Sequence, residues 1–242
     1  MDYTLKILEG TEALAREAAE RFIVLAAKAQ QQHRPFVVAL SGGTTPQALY
    51  TVLASAYRTD VDWLNIEFFF GDERAVPPDH PDSNFRLASE SLFRPAGIRS
   101  RQIHRMKAEM EDLDAAAHLY STELEPLATG DLPRFDLVVL GLGPDGHTAS
   151  LFPNSPVLEE RTRWVVPVLD APKPPARRLT VTLPVLNAAR QVIFLVSGEN
   201  KAQAVREVLQ GVAPGKQYPA KLVRPGPGRL VWLLDQEAAS QL

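Results

Sequence analysis

Runs of unbroken apolar residues alternate along this chain with stretches whose apolar positions recur every three or four residues. Phe36–Leu40 (FVVAL), Leu137–Leu140 (LVVL) and Val192–Val196 (VIFLV) are apolar at every position. That is the pattern of a strand covered on both faces. Between such runs, Leu14, Ala18, Phe22 and Leu25 fall on one helical face, with Thr11 as the expected N-cap. Thr45-Pro46 reads as an N-cap followed by proline at the first helical position. The same reading predicts strands over Thr4–Leu8, Ile66–Phe70, Trp164–Val168, Leu179–Leu183 and Gln191–Val196. It predicts helices over Ser83–Phe93, Leu113–Leu127 and Asn200–Gln210, the last closed by Gly211 at C′. Prolines gather in Val76–Pro81, Pro172–Pro175 and Pro214–Pro227, which read as stiff loops.

Buried strands alternating with helices predict an α/β fold with a mostly parallel sheet and helices on both faces. No repeat of fixed period and no low-complexity tract interrupts it. The 242 residues suit one α/β domain, 1–242, with room for a small lobe. In such sheets ligands bind beyond the carboxyl ends of the strands, where helix N-termini present free N–H groups. The chemistry is therefore sought in loops that follow strands.

Ser41-Gly42-Gly43-Thr44-Thr45-Pro46 follows the run Phe36–Leu40 and opens a helix. Glycines admit a ligand to the backbone, hydroxyls donate and the helix N-terminus favours an anion, so phosphate suits it. A tight strand-to-helix turn needs the same residues, and no Walker Gly-Lys-Ser/Thr follows. Gly71-Asp72-Glu73-Arg74 follows Ile66–Phe70; its Arg could take two phosphate oxygens and its Asp sugar hydroxyls, or the charges could simply be solvated. Gly141-Leu142-Gly143-Pro144-Asp145-Gly146-His147-Thr148 places an imidazole after a glycine-rich turn, which makes His147 the catalytic candidate. A helix cap or a core hydrogen bond is the plainer role for that side chain. The loop also spells G-x-G-x-x-G, but Pro144 and Pro153 and the lack of an acid at the right distance speak against a dinucleotide site. In Ser197-Gly198-Glu199-Asn200-Lys201, Lys201 sits in the first helical turn against the macrodipole, a cost an anion would offset. A tolerated surface lysine explains it equally. Lys173, Arg177 and Arg178 in the proline-rich stretch could reach a substrate or simply solvate a loop, and the loop is the favoured reading.

Composition narrows the chemistry. With no cysteine, disulfides, thiolate nucleophiles and Cys-ligated metals are excluded, and a reducing cytoplasm is the expected setting. Lys and Arg number 26 against 29 Asp and Glu, so there is no global basic field for nucleic acid or an anionic membrane. No apolar run approaches the ~20 residues of a membrane span, and the N-terminus lacks a secretory pattern. His33, His80, His104 and His118 show no metal-ligand spacing, and no G-x-S-x-G elbow is present. Hydrolysis, if this is the chemistry, would use activated water.

Taken in order, LSGGTTP at 40–46, FFFGDERAVPPDHPDSNFRLA at 68–88, GLGPDGHTASLFP at 141–153 and SGENKAQAV at 197–205 resemble the 6-phosphogluconolactonase family. The resemblance implies the Rossmann-like fold of glucosamine-6-phosphate deaminases. It implies hydrolysis of 6-phospho-D-glucono-1,5-lactone to 6-phosphogluconate in the oxidative pentose phosphate pathway, with no cofactor. Carried over, His147 is similar to the family's water-activating histidine, with Asp145 orienting it or binding sugar. Arg74, Lys201 and the Gly42-Gly43-Thr44 segment are similar to its phosphate site, and Asp72 to the acid of its Asp-Glu-Arg motif. The related deaminases typically carry a carboxylate five residues after that histidine; here the position is Phe152, which favours the lactonase. Sugar-phosphate-sensing regulators resemble the same domain but need a DNA-binding segment, for which a first strand at Thr4 leaves no room. The expected partner is a small sugar-phosphate lactone, not nucleic acid or membrane, acting on a monomer or small homo-oligomer.

Overall fold

The computed structural model describes residues 3–226 and 228–242. Pro227, the end of one expected proline-rich loop, and the first two residues lie outside the described residues. Strands β1 (Tyr3–Leu8), β2 (Phe36–Leu40) and β3 (Ile66–Phe70) are followed by a three-residue strand β4 (Asp72–Arg74). The short β5 (Ala128–Thr129) and β6 (Leu132–Pro133) precede β7 (Leu137–Leu140), β8 (Val165–Val168), β9 (Arg178–Val181), β10 (Gln191–Val196) and β11 (Arg229–Asp235). Six of them form one sheet in the order β1-β11-β10-β7-β2-β3. Every pairing in it is parallel, with Ala39 opposite Phe69 and Val138, and Phe194 opposite Leu140 and Trp232. Every residue of β2, β7 and β10 is buried, as expected of strands covered on both faces.

The helices are α1 (Thr11–Gln31), α2 (Thr44–Ser55), α3 (Asn84–Ala88), α4 (Arg94–Ala96), α5 (Leu113–Leu124), α6 (Leu183–Ala188) and α7 (Ala202–Leu209). Two expected caps are corrected. Thr11 and Thr45 are already helical, and the N-caps are Gly10 and Gly43; Gly43 has φ 105°, the region that favours glycine. Pro46 consequently stands two residues inside α2. The predicted helix Ser83–Phe93 begins as expected, Ser83 Oγ accepting from the Arg86 N–H, but continues from α3 through a π turn over Ser89–Phe93 into α4. The expected strand Leu179–Leu183 stops at Val181, because Leu183-Pro184 opens α6. Lys201 lies in a 3-10 turn, Glu199–Lys201, ahead of α7.

The antiparallel sheet β4-β9-β8 lies beside the carboxyl edge of the main sheet, joined to it through Val181 N–H to Gly71 O at 2.9 Å. Val165, Leu179 and Val181 belong to the same apolar cluster as Phe68, Leu140 and Phe194. Two buried tyrosines finish adjacent strands. The Tyr50 hydroxyl accepts from the Ser41 N–H at 3.0 Å and donates to Ser41 O at 2.7 Å. Tyr120 does the same for Phe70, at 2.8 and 3.1 Å. Burial pushes both phenols well above their ordinary range, so they remain donors. Tyr50→Phe leaves both Ser41 backbone groups buried without a partner, which costs about 1–3 kcal/mol. In urea unfolding the midpoint falls while the m-value is unchanged.

Candidate active site

The carboxyl ends of β10, β7, β2 and β3 lie side by side, so the loops after them converge. Gly42, Gly43, Thr44, Asp72, Arg74, His147 and Lys201 all border one cleft of about 440 Å³. Asp145 stands behind His147 and grips it from outside the cleft wall. Its Oδ1 lies 2.5 Å from His147 Nδ1, and the ring of Phe152 packs against the imidazole at 4.6 Å between centroids. A carboxylate acceptor at Nδ1 places the ring proton there and leaves the Nε2 lone pair free. Burial alone would push the Asp145 carboxyl up; the His147 imidazole and the Lys173 ammonium beside it hold it well below the usual carboxylate range. It therefore stays an anion at any working pH.

The turn carrying this pair is closed on itself. Gly143 N–H donates to His147 O at 2.8 Å and Gly146 N–H to Gly143 O at 2.9 Å, while Thr148 Oγ1 donates to Gly141 O at 2.9 Å. A Cβ on Gly143 would lie 2.0 Å from His147 Nδ1, so glycine there is what lets the imidazole fold back onto its own loop. The turn is strapped from outside by Ala220 N–H, which donates to Gly146 O at 3.0 Å.

The Asp-Glu-Arg segment divides its labour. Glu73 is buried and accepts from the N–H groups of Arg74, Asn84 and Phe85 and from Ser83 Oγ, anchoring the start of α3. Burial raises its pKa, offset by those N–H donors. Asp72 ties three loops together: Ser150 Oγ donates to its Oδ2 at 2.7 Å and Asn84 Nδ2 to its Oδ1 at 3.2 Å. Asn84 in turn explains Gly42, where a Cβ would lie 1.9 Å from Asn84 Oδ1. Arg74 donates from Nη1 to Asp82 O at 2.6 Å and borders the cleft.

Lys201 is half-buried; burial first, and then the nearby Lys173 ammonium, lower its pKa, with Asp145 opposing. An anion in the cleft would relieve both costs. Its loop is held by Asp235 at the end of β11, which accepts from Ser197 Oγ at 2.5 Å and from the Gly198 N–H at 3.1 Å.

One contributor, Asp235, escaped the sequence reading, and two, Lys173 and Arg178, stand on the less favoured of two readings. Asp235 ends a strand that the alternation of strands and helices does not announce. Lys173 and Arg178, expected in a solvated loop, border the cleft, whereas Arg177 turns away and donates to Glu111 O at 2.9 Å. Arg178 is buried; its Nε donates to Pro175 O at 2.9 Å and its guanidinium lies over the Phe152 ring. Among the described residues no cluster of three or more His, Asp or Glu side chains is placed to hold a metal ion, and no helix is long and apolar enough to cross a membrane.

Residues 9–232 match the family of glucosamine-6-phosphate isomerases/6-phosphogluconolactonase. The chain belongs to this family. Among its relatives is the 6-phosphogluconolactonase of Synechocystis sp., 43% identical over 85% of this chain and 84% of that protein. The 6-phosphogluconolactonase of Mycobacterium tuberculosis is 39% identical over 100% of this chain and 99% of its own. Among solved structures, 6-phosphogluconolactonase from Trypanosoma brucei superposes with a TM-score of 0.87 at 29% identity, covering 100% of this chain and 99% of that one. The mostly parallel α/β sheet inferred from the apolar runs is thus the fold of the family.

Proposed function

We propose that this chain is a single-domain hydrolase that opens 6-phospho-D-glucono-1,5-lactone to 6-phosphogluconate, a step of the oxidative pentose phosphate pathway. The observation that carries the site assignment is the imidazole–carboxylate pair His147–Asp145 facing a cleft bordered by Arg74 and Lys201. His147 Nε2 takes a proton from a water that attacks the lactone carbonyl carbon. The C1–O bond to the new hydroxyl forms, the bond from C1 to the ring oxygen breaks, and the imidazolium returns the proton to that leaving oxygen. Asp145 holds the Nδ1–H and steadies the imidazolium between the two transfers. The phosphate is held by Lys201, Arg74 and the N-terminus of α2 with the Gly42-Gly43-Thr44 backbone. Anchoring the ester at one end sets the carbonyl against His147 at the other. Phe152, buried against the imidazole, gives that wall no carboxylate for the proton transfers of a deaminase.

The reading is tested by comparing the phosphorylated lactone with unphosphorylated gluconolactone. Each charge-assisted contact to phosphate is worth about 1.5–3 kcal/mol, so kcat/KM favours the phosphorylated lactone by ~10²-fold or more if two or three act together. Equal kcat/KM for the two lactones would reject the phosphate site.

A further inference from the structure

Lys173 lies on none of the loops that follow the parallel strands, yet its Nζ is 3.2 Å from Asp145 Oδ2. The other oxygen of the same carboxylate holds His147 Nδ1 at 2.5 Å. One carboxylate thus serves two groups. The backbone beneath Lys173 is pinned, because buried Arg178 donates from Nη2 to Lys173 O at 3.0 Å and Ala171 N–H donates to Ala176 O at 2.9 Å. The lysine side chain beyond that fixed point is 41% exposed and borders the cleft. Its base is therefore held while its ammonium can swing.

Asp145 stands behind His147, and the charges that share the cleft wall with the imidazole are Lys173, Lys201, Arg74, Arg178 and Asp72. Asp72 is already engaged by Ser150 and Asn84, and Arg178 by backbone carbonyls. Asp145 is the anion within reach of Lys173. A phosphate ester, carrying up to two negative charges and placed in a cleft of four cations, is a stronger partner for that ammonium than one shared carboxylate.

We propose that Lys173 is a movable counter-ion, holding Asp145 until an anion enters the cleft and then passing to that anion, so that Asp145 acts on His147 alone. The proposal deepens the lactonase reading and rests on it. An ammonium on Asp145 offsets part of that carboxylate's negative field at His147; its departure restores that field only when substrate is in place. Lys173 is in this sense a positioning residue, acting on the base through Asp145.

The test is the titration midpoint of the His147 ring by NMR, in the wild type and in Lys173→Gln and Lys173→Arg, with and without saturating inorganic phosphate. Without phosphate the Gln variant titrates at higher pH than the wild type, by about half a unit for a charge several ångströms away and partly screened by solvent. With phosphate the two midpoints converge, and Lys173→Arg behaves as the wild type in both conditions. A midpoint unmoved by Lys173→Gln, or a difference that persists undiminished with phosphate, overturns the proposal. In steady-state kinetics the acid limb of kcat/KM moves to higher pH in Lys173→Gln while that of kcat stays in place; both limbs moving together would mean that Lys173 never leaves Asp145. The NMR comparison needs no turnover, so a protein inert on the lactone fails the lactonase reading without deciding the ion exchange.

Discussion

Replacing His147 by Ala lowers kcat for 6-phosphogluconolactone by ~10²–10⁴-fold, the worth of a positioned general acid–base group, and leaves KM within a few-fold of the wild type. The asymmetry follows from where the imidazole stands. It is held by Asp145 and Phe152 on the wall of the cleft, while the cations Arg74 and Lys201 remain to bind the phosphate. The variant should fold, because His147 contributes a partly exposed ring whose removal leaves the turn's backbone hydrogen bonds, Gly143 to His147 O and Gly146 to Gly143 O, intact. Stopped assays with a pH indicator read the acid released, corrected for spontaneous opening of the lactone. Unchanged kcat would remove His147 from the reaction.

Lys201→Ala has the opposite signature. A lost charge-assisted contact of about 1.5–3 kcal/mol raises KM for the phosphorylated lactone by ~10–150-fold, with a smaller effect on kcat. On unphosphorylated gluconolactone the variant and the wild type are equal, since the contact is to phosphate alone. Burial and Lys173 already disfavour the Lys201 ammonium in the empty cleft, a cost that a bound phosphate offsets. Equal losses on both lactones would mean that Lys201 serves the reacting end of the substrate instead.

What the chain discloses before it is folded depends on how directly burial is written into it. The strands β2 and β7 are unbroken apolar runs because helices cover both faces, β10 is one after Gln191 and β3 is interrupted only by Glu67, and each is legible from its own residues. The loops after them could be inspected for chemistry because a parallel sheet sends all its carboxyl ends to one side. This is why Gly42, Asp72, Arg74, His147 and Lys201 could be named together. β4 was not legible: its Asp-Glu-Arg sequence has no apolar pattern and is buried only because Ser83, Asn84 and Ser150 supply partners from elsewhere in the chain. In the sequence, Lys173 and Arg178 stay undecided between substrate and solvent, with solvent favoured, for a topological reason. Their loop joins β8 to β9 in the antiparallel sheet, and only the placement of that sheet against the carboxyl edge turns two lysine-and-arginine positions of a proline-rich loop into cleft wall. The helix starts moved by one residue at α1 and by two at α2 because Gly10 and Gly43, and not Thr11 and Thr45, hold the cap positions. Pairwise contacts of that kind carry no periodic signal.

The measurement that bears most directly on the function is a matched assay of the purified protein. One arm supplies freshly generated 6-phosphogluconolactone and follows acid release; the other supplies glucosamine 6-phosphate and follows ammonia. Rapid lactone opening with no ammonia is the predicted result. Ammonia release in the second arm, or lactone opening no faster than the spontaneous rate in the first, would contradict it.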